Sequence, residues 1–400
     1  MLRYLTAGES HGKGLTVIIE GLPAGLSLTE EYIARELRRR QGGYGRGRRQ
    51  KIEQDRAEIR SGVRHGLTLG SPIALLIENK DWVNWRDVMA LEKPDAPIEA
   101  ITRLRPGHAD LPGVVKYGFD DVRNILERAS ARETAARVAV GTVCRRFLEE
   151  FGVTIHSQTI AIDGVEVEPD AEPDWEAVDA SPVRCADAES GERMVAAIDE
   201  ARNDGDSLGG IVEVRASGVP IGLGSHVQWD RKIDGRLAQA MMSLNAVKGV
   251  EIGIGFTGAR QRGSQVHDII LPIDQWGERP WRRATNRMGG TEGGMTNGEE
   301  LVLRVALKPI ATLPHSLPSA DLRTGEEILA HYERSDVCVI PAAGVIGESL
   351  AATVLADACL EKFGGDHIDE TLRNYRSYLK TIGPRGGEAV PPVEEETTEV

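Results

Sequence analysis

Aromatic side chains are scarce in this chain of 400 residues, which carries six tryptophans, seven tyrosines and five phenylalanines. A core of this size must therefore be built from aliphatic and small residues. A platform of stacked rings for nucleic-acid bases is also lacking, because Tyr44 is the single aromatic in the most basic stretch. Cysteine is equally sparse: Cys144, Cys185, Cys338 and Cys359 show no CxxC spacing. That excludes a disulfide scaffold and gives no reason to expect a metal site. No apolar run reaches about 18 residues, so no membrane-spanning helix is expected. The first residues, Met1 to Thr6, lack a signal-peptide hydrophobic region. A cytoplasmic protein with buried free thiols is the expectation. The glycine-rich run from Asn286 to Gly298 carries no Walker lysine and does not fit GxGxxG, so it is neither a P-loop nor a Rossmann fingerprint. The net charge of −14 disfavours general nucleic-acid binding.

What the chain does have is glycine, 45 residues of it, and a local excess of arginine. Between Arg38 and Arg64, ten basic residues oppose Glu53, Asp55 and Glu58, a +7 patch in an acidic protein. Arginine rather than lysine points to bidentate recognition of phosphate or carboxylate. Gly42, Gly43, Gly45 and Gly47 predict a mobile loop in the middle of the patch. A small multi-anionic ligand fits the pattern better than nucleic acid does.

The stretch from Glu127 to Gly141 predicts a helix running to about Phe151. Its small residues, Ala129, Ser130, Ala131, Thr134, Ala135, Ala136, Ala139 and Gly141, permit close approach of a backbone or a flat ligand. Arg128, Arg132 and Arg137 sit among them, with Arg128 and Arg132 four apart on one face. Two readings fit: a solvated face with weak pairs to Glu127 and Glu133, or a buried helix whose arginines grip an anion. Ser27-Leu28-Thr29-Glu30 reads as a capping box for a helix ending near Arg40. Further helices are predicted over 190–203, 230–245, 347–363 and 366–382. Strands are predicted over 15–20, 71–78, 153–156, 210–215, 250–254 and 301–307. Residues 79–102 read as a surface excursion and the region to 188 as acidic loop. The glycine-rich run Asn286 to Gly298 offers backbone N–H groups to an anion or a flat cofactor. His11 and His108 lie in glycine-bounded loops, near their titration at neutral pH and so suited to proton transfer.

Five motifs in order, Gly8-Glu9-Ser10-His11-Gly12, Arg105-Pro106-Gly107-His108-Ala109-Asp110, Ala129-Ser130-Ala131-Arg132-Glu133-Thr134, Gly293-Gly294-Met295-Thr296-Asn297-Gly298 and Arg334-Ser335-Asp336-Val337-Cys338, resemble the chorismate synthase family. The chain departs in small ways: Ala129 stands where many members have Ser, and Ala342-Ala343 follows Pro341 where others carry Arg. The resemblance implies an α+β fold, a β-α-β sandwich of two antiparallel sheets enclosing helices, in one domain over 1–384, with an acidic disordered tail over 385–400. It implies a lyase that converts 5-enolpyruvylshikimate 3-phosphate to chorismate with reduced FMN, typically as a homotetramer. Carried over, His11 would protonate or stabilise the reduced flavin, His108 would protonate the departing phosphate, and Asp336 would act near flavin N5. Arg49, Arg132 and Arg334 would hold the substrate's phosphate and carboxylates. Arg40 and Arg46 match arginines that hold NADPH, a candidate reductant. FMN contacts map to Arg128, Ala129, Ser130, Asn245, Ala246, Gly293, Lys308, Pro309, Ile310, Ala311, Thr312 and Arg334. Two other activities fit parts of the pattern: a flavin oxidoreductase consuming NADPH, and a nucleic-acid-binding protein using Arg38–Arg64.

Overall fold

The structure is a computed structural model and describes residues 1–47, 52–93, 97–167, 172–275, 277, 280–333 and 335–384. Arg48, Arg49, Lys51, Arg334 and the acidic tail from residue 385 lie outside the described residues. Two sheets, antiparallel throughout, carry the chain. The first joins β1 (Arg3–Ala7), β2 (Gly14–Glu20), β3 (Ala57–Ser61) and β4 (Ile73–Glu78) in the order β1-β2-β4-β3. The second joins β5 (Thr154–Ile162), β6 (Val165–Glu166), β7 (Gly210–Ser217), β8 (Val247–Ile252) and β9 (Leu301–Leu307) in the order β8-β9-β7-β5-β6.

Period-two patterning sets the register of both sheets. In β2 the residues Leu15, Val17 and Ile19 point inward, opposite Ile77, Leu75 and Ile73 of β4, and all six are buried. In β9 the residues Leu301, Leu303 and Val305 face Ala216, Val214 and Val212 of β7, again all buried. Among the described residues, eight α-helices of seven or more residues accompany the sheets: α1 (Glu30–Gln41), α2 (Asp110–Tyr117), α3 (Arg123–Ala129), α4 (Thr134–Glu149), α5 (Ala188–Asp204), α6 (Ile233–Met242), α7 (Ile340–Phe363) and α8 (Ile368–Leu379). Helix α4 packs on β1, β2 and β4 and against α1, whereas α7 packs on β5, β7 and α6, and the two helices lie along each other. By length and composition α7 could cross a membrane, but 89% of its most apolar window is buried inside the protein. It is a core helix, apolar all round because it is covered all round. At Gly141 the helix α4 lies directly against Ser349 of α7.

A buried charge lies inside this helix layer. Glu348 of α7 is fully enclosed and accepts from Arg39 at 2.7 and 3.0 Å, Arg145 at 2.5 Å, Arg184 at 3.3 Å and Ser157 at 2.6 Å. Burial alone would raise its carboxyl, but the guanidinium groups of Arg39, Arg145 and Arg184 overcome burial and hold it well below the usual carboxylate range.

Several expectations change. The predicted helix from 127 to 151 is two helices. Ser130 breaks it in extended conformation and accepts from the Arg132 backbone N–H, so Arg128 and Arg132 share no face. The buried reading holds for α4, where 13 of 16 residues are buried. Thr29 rather than Ser27 caps α1, accepting from Tyr32 N at 3.2 Å, while the Glu30 carboxylate turns to Ile59 N at 2.8 Å; the capping box does not form. The strand predicted over 153–156 continues to Ile162. Residues Ser157 to Ile162 are all buried, so no alternation marked them. Helix α7 starts at Ile340, seven residues before the prediction, with Pro341 in its first turn. Six of the ten basic residues of the +7 patch pair with carboxylates. Arg38 and Arg56 pair with Glu31, Arg39 with Glu36 and Glu348, Arg40 with Asp55, Arg46 with Asp336, and Arg60 with Glu58.

Candidate functional site

The turn between β1 and β2 carries His11. Its backbone N–H and its ring both meet one carboxylate: N donates to Glu127 Oε2 at 2.7 Å, and Nδ1 lies 2.8 Å from Glu127 Oε1. Burial would raise the Glu127 carboxyl, but the His11 ring overcomes this and pulls it down. The indole of Trp85 covers the imidazole at 3.9 Å between centroids, tilted 31°. Asn79 follows β4 directly and fixes the turn from below. Its Nδ2 lies 3.0, 3.2 and 2.8 Å from the carbonyls of Glu9, Ser10 and Gly12, sharing two hydrogens among them. The expected surface excursion over 79–102 is therefore corrected at its start. Asn79 and Asp81 are buried, and Trp85 covers His11 while donating to Asp81 at 3.2 Å.

His108 is held in the same manner at the start of α2. Its Nδ1 lies 2.5 Å from Asp110 Oδ1, and Arg105 closes on that carboxylate through Nε (2.8 Å) and Nη2 (2.9 Å). Arg105 Nη2 also approaches Nδ1 at 3.0 Å, but one nitrogen cannot donate to Asp110 and accept from Arg105 together. Burial would raise Asp110, whereas the His108 and Arg105 hydrogen bonds hold it well below the usual range. The carboxylate thus stays charged, and donation from Nδ1 to it prevails.

A chain of contacts joins the two histidines. Ser10 N donates to Glu127 O at 2.9 Å, and the hydroxyls of Ser10 and Ser130 meet at 3.0 Å. Asn245 Nδ2 donates to Ala129 O at 2.8 Å, and Lys308 N donates to Ala246 O at 2.9 Å. At the far end Arg105 Nη1 donates to Thr312 Oγ1 at 3.1 Å. The sequence-predicted residues Ala129, Ser130, Asn245, Ala246 and 308–312 therefore lie along one path between His11 and His108. Burial and the neighbouring Lys248 lower the Lys308 ammonium. Gly107 has φ +73, and a Cβ there would meet Lys308 Nζ at 3.7 Å and Ala311 Cβ at 4.0 Å, so the histidine loop borders this path.

Among the described residues, the arginines expected to grip an anion also bind groups of the protein itself. Arg132 is buried; Nη1 donates to Asp55 Oδ1 at 2.5 Å and Nε to Asn79 Oδ1 at 2.8 Å, leaving Nη2 with longer contacts to Glu78 O (3.4 Å) and Glu53 (3.8 Å). Arg40 is buried with every nitrogen engaged, by Thr134 Oγ1, Asp55 and Ala131 O. Burial, with repulsion from Arg46 and Arg132, lowers Arg40 to about 10. Arg128 donates to Thr6 O, Thr6 Oγ1 and Gly8 O, and so pins the His11 turn. Asp336 accepts from Gly47 N at 2.5 Å and from Arg46 at 3.4 Å. Arg46 Nε is buried and meets no acceptor among the described residues. Gly293 stands apart. Its hairpin packs at the N-terminus of α6 through Gly294 O and Ile233 N (2.9 Å), about 15 Å of helix away from Asn245. Open space around a Cβ on Gly293, the small residues along the path and the orphaned Arg46 Nε fit a flat ligand bearing an anionic group.

Asp110 and Glu127, the carboxylates behind the histidines, were not singled out by sequence. Asp110 closes the motif that contains His108, and that spacing of two was an available signal. Glu127 read as a surface charge, and Asn79 and Asp55 gave no signal at all.

Comparison with known proteins follows this geometry. The chorismate synthase family profile matches residues 2–360. Among similar curated proteins, the chorismate synthase of Symbiobacterium thermophilum is 56% identical over 395 residues, covering 96% of this chain and 100% of the relative. That of Moorella thermoacetica is 58% identical over 388 residues, covering 96% and 100%. A solved structure described as a crystal structure of chorismate synthase has a TM-score of 0.77 and 47% identity, covering 95% of this chain and 98% of the other.

Proposed function

The chain belongs to the chorismate synthase family, and from that premise we propose that it converts 5-enolpyruvylshikimate 3-phosphate to chorismate and phosphate. The reaction is a 1,4-elimination of the 3-phosphate and a C6 hydrogen, the last shared step toward the aromatic amino acids. Reduced FMN, when bound, supplies electron density to the elimination without being consumed. The protein's own groups do the rest. His108, held by Asp110 at Nδ1, delivers a proton from Nε2 to the departing phosphate. His11, held by Glu127, keeps a proton beside the cofactor. Asp336, which accepts from Gly47 N and pairs with Arg46, would help take up the C6 hydrogen when the cofactor is bound. Arg49, Arg334 and the Nη2 side of Arg132 hold the substrate's phosphate and carboxylates. Ala129, Ser130, Asn245, Ala246 and 308–312 would form the flavin's bed, with Gly293 set apart from it, and Arg46 Nε would offer the flavin or the substrate a hydrogen bond.

The observation that carries this reading is the hydrogen-bonded path that joins two carboxylate-backed histidines across the small-residue segments. NADPH as reductant rests on Arg40 and Arg46; since Arg40 has no nitrogen to spare, Arg46 is the stronger anchor. We read the chain as one catalytic domain over 1–384 in a β-α-β sandwich, α4 facing one sheet and α7 the other. We further place it in the cytoplasm as a homotetramer. The test is phosphate release without air, using dithionite-reduced FMN. Turnover with many phosphates per flavin supports the reading. Full activity with oxidised FMN, or one reduced flavin used up per phosphate, overturns it.

A further inference from the structure

Glu127 lies behind His11, and the way it binds distinguishes a device from a brace. It accepts from two donors of one residue, the His11 backbone N–H at Oε2 and the His11 ring at Oε1. A third donor, Arg123 Nη1, reaches Oε1 at 3.0 Å. Arg123 is itself anchored, to Glu333 through Nη2 at 2.6 Å and over the Trp85 ring at 4.9 Å. Glu333 is drawn down to about 2: burial opposes, but His331 and Arg123 prevail. Among the described residues, the titratable and charged groups linked to His11 include Glu127, Arg123, Glu333 and His331, with Trp85 and its partner Asp81 closing one ring face.

We propose that Glu127 is a positioning residue that fixes His11 as the Nδ1–H tautomer and thereby makes Nε2 the atom through which His11 exchanges its proton. A carboxylate is acceptor-only, so a neutral imidazole facing it at 2.8 Å places its one hydrogen on Nδ1. The backbone contact locks the ring's origin and the side-chain contact locks its rotation, so one group sets both. This rests on the functional reading above, which gives His11 a proton to hold. It adds which atom holds it and what chooses that atom.

Glu127→Gln separates a tautomer selector from a brace. An amide has one acceptor oxygen, and three donors compete for it. The backbone N–H can only donate and cannot move far; Arg123 keeps Glu333. The imidazole is the group able to adapt, by turning over to the Nε2–H tautomer and accepting the amide N–H at Nδ1. Nitrogen-15 shifts of the neutral His11 ring report the tautomer directly, without substrate or flavin. The expected result is Nδ1–H in the unaltered protein and Nε2–H in Glu127→Gln. With it, kcat should fall about 10²–10⁴-fold, the range seen when an acid–base group is lost or held in the wrong tautomer, while KM stays close to its original value. Glu127→Asp should keep Nδ1–H and recover part of kcat. Nε2–H in the unaltered protein overturns the inference even if no variant folds. So does a Gln variant that loses kcat with its tautomer unchanged, or one whose tautomer flips with kcat intact. If the unaltered protein releases no phosphate, the functional reading fails instead, and the tautomer measurement still decides the role of Glu127.

Discussion

Gly141 and Ser349 meet backbone to backbone: a Cβ built on Gly141 would fall 2.4 Å from both the Cβ and the carbonyl oxygen of Ser349. No side chain can swing aside there, so α4 and α7 must separate to admit even a methyl group. Replacing a helical glycine by alanine normally favours the helix by about 1 kcal/mol. Here overpacking costs about 1–3 kcal/mol or more and outweighs that gain. Gly141→Ala should therefore lower the denaturant midpoint. An equally stable variant would show that the helices can part freely.

Glu348 answers three arginines, so its removal leaves the buried Arg145 and Arg184 and the partly exposed Arg39 without their shared anion. Glu348→Ala should cost about 3–5 kcal/mol of stability, read from urea or guanidinium unfolding. A loss below that of an ordinary surface substitution would mean that the three guanidinium groups find water or other partners.

Acid stability follows from the same carboxylates. Glu348, Asp110 and Glu333 are all held below their ordinary range, Glu333 at about 2. A depressed carboxylate contributes stability that is complete above its unfolded value, near 4.5 for Glu and 3.8 for Asp, and is lost as pH falls through the folded value. Tm should thus be flat with respect to these groups above about pH 5 and fall steeply below about pH 4. Glu348→Gln should flatten the acid limb. A limb of unchanged steepness would assign the acid sensitivity to other groups.

His108→Ala should lower kcat about 10²–10⁴-fold with its unfolding curve unchanged, because the ring sits in a loop at the edge of the small Leu104–Val114–Val122 core cluster. Asp110→Asn should also lower kcat, but with a loss of stability, since Asp110 also binds Arg105. Equal stability losses in both variants would contradict this division.

Asn79→Ala removes the group that holds three carbonyls of the His11 turn. A displacement of about 1 Å at a reacting group can cost about 10²-fold. The variant should lose kcat/KM on that scale without touching any ligand. Unchanged kinetics would show that Arg128 and Glu127 suffice to hold the turn.

Much of the fold was legible because burial on one face leaves a period in sequence: Leu15, Val17 and Ile19 announce β2, and Leu301, Leu303 and Val305 announce β9. Where both faces are buried, as from Ser157 to Ile162, the period vanishes, and only the beginning of that strand, 153–156, was legible. The histidines were legible through their glycine-bounded loops, but their carboxylates were not. Glu127 is 116 positions from His11 in sequence and reads as any helix-surface glutamate until folding brings α3 to the β1–β2 turn. The net charge of the arginine patch was harder to read from a local count. A local count omits Glu31, Glu36, Asp336 and Glu348, which come from elsewhere to meet it.

Asn79 is the residue next after β4, whose register against β2 sets Ile73, Leu75 and Ile77 inward. A slip of that strand by one residue would turn its whole apolar set to the wrong face. It would also move the amide that grips the His11 turn by one strand step, about 3.3 Å. The sheet therefore works as a ruler for the chemistry. Misregistered chains could not persist as compact but slightly faulty enzymes, because the same displacement that spoils the core also dismantles the His11 turn. Proofreading of the fold and assembly of the active site become a single event.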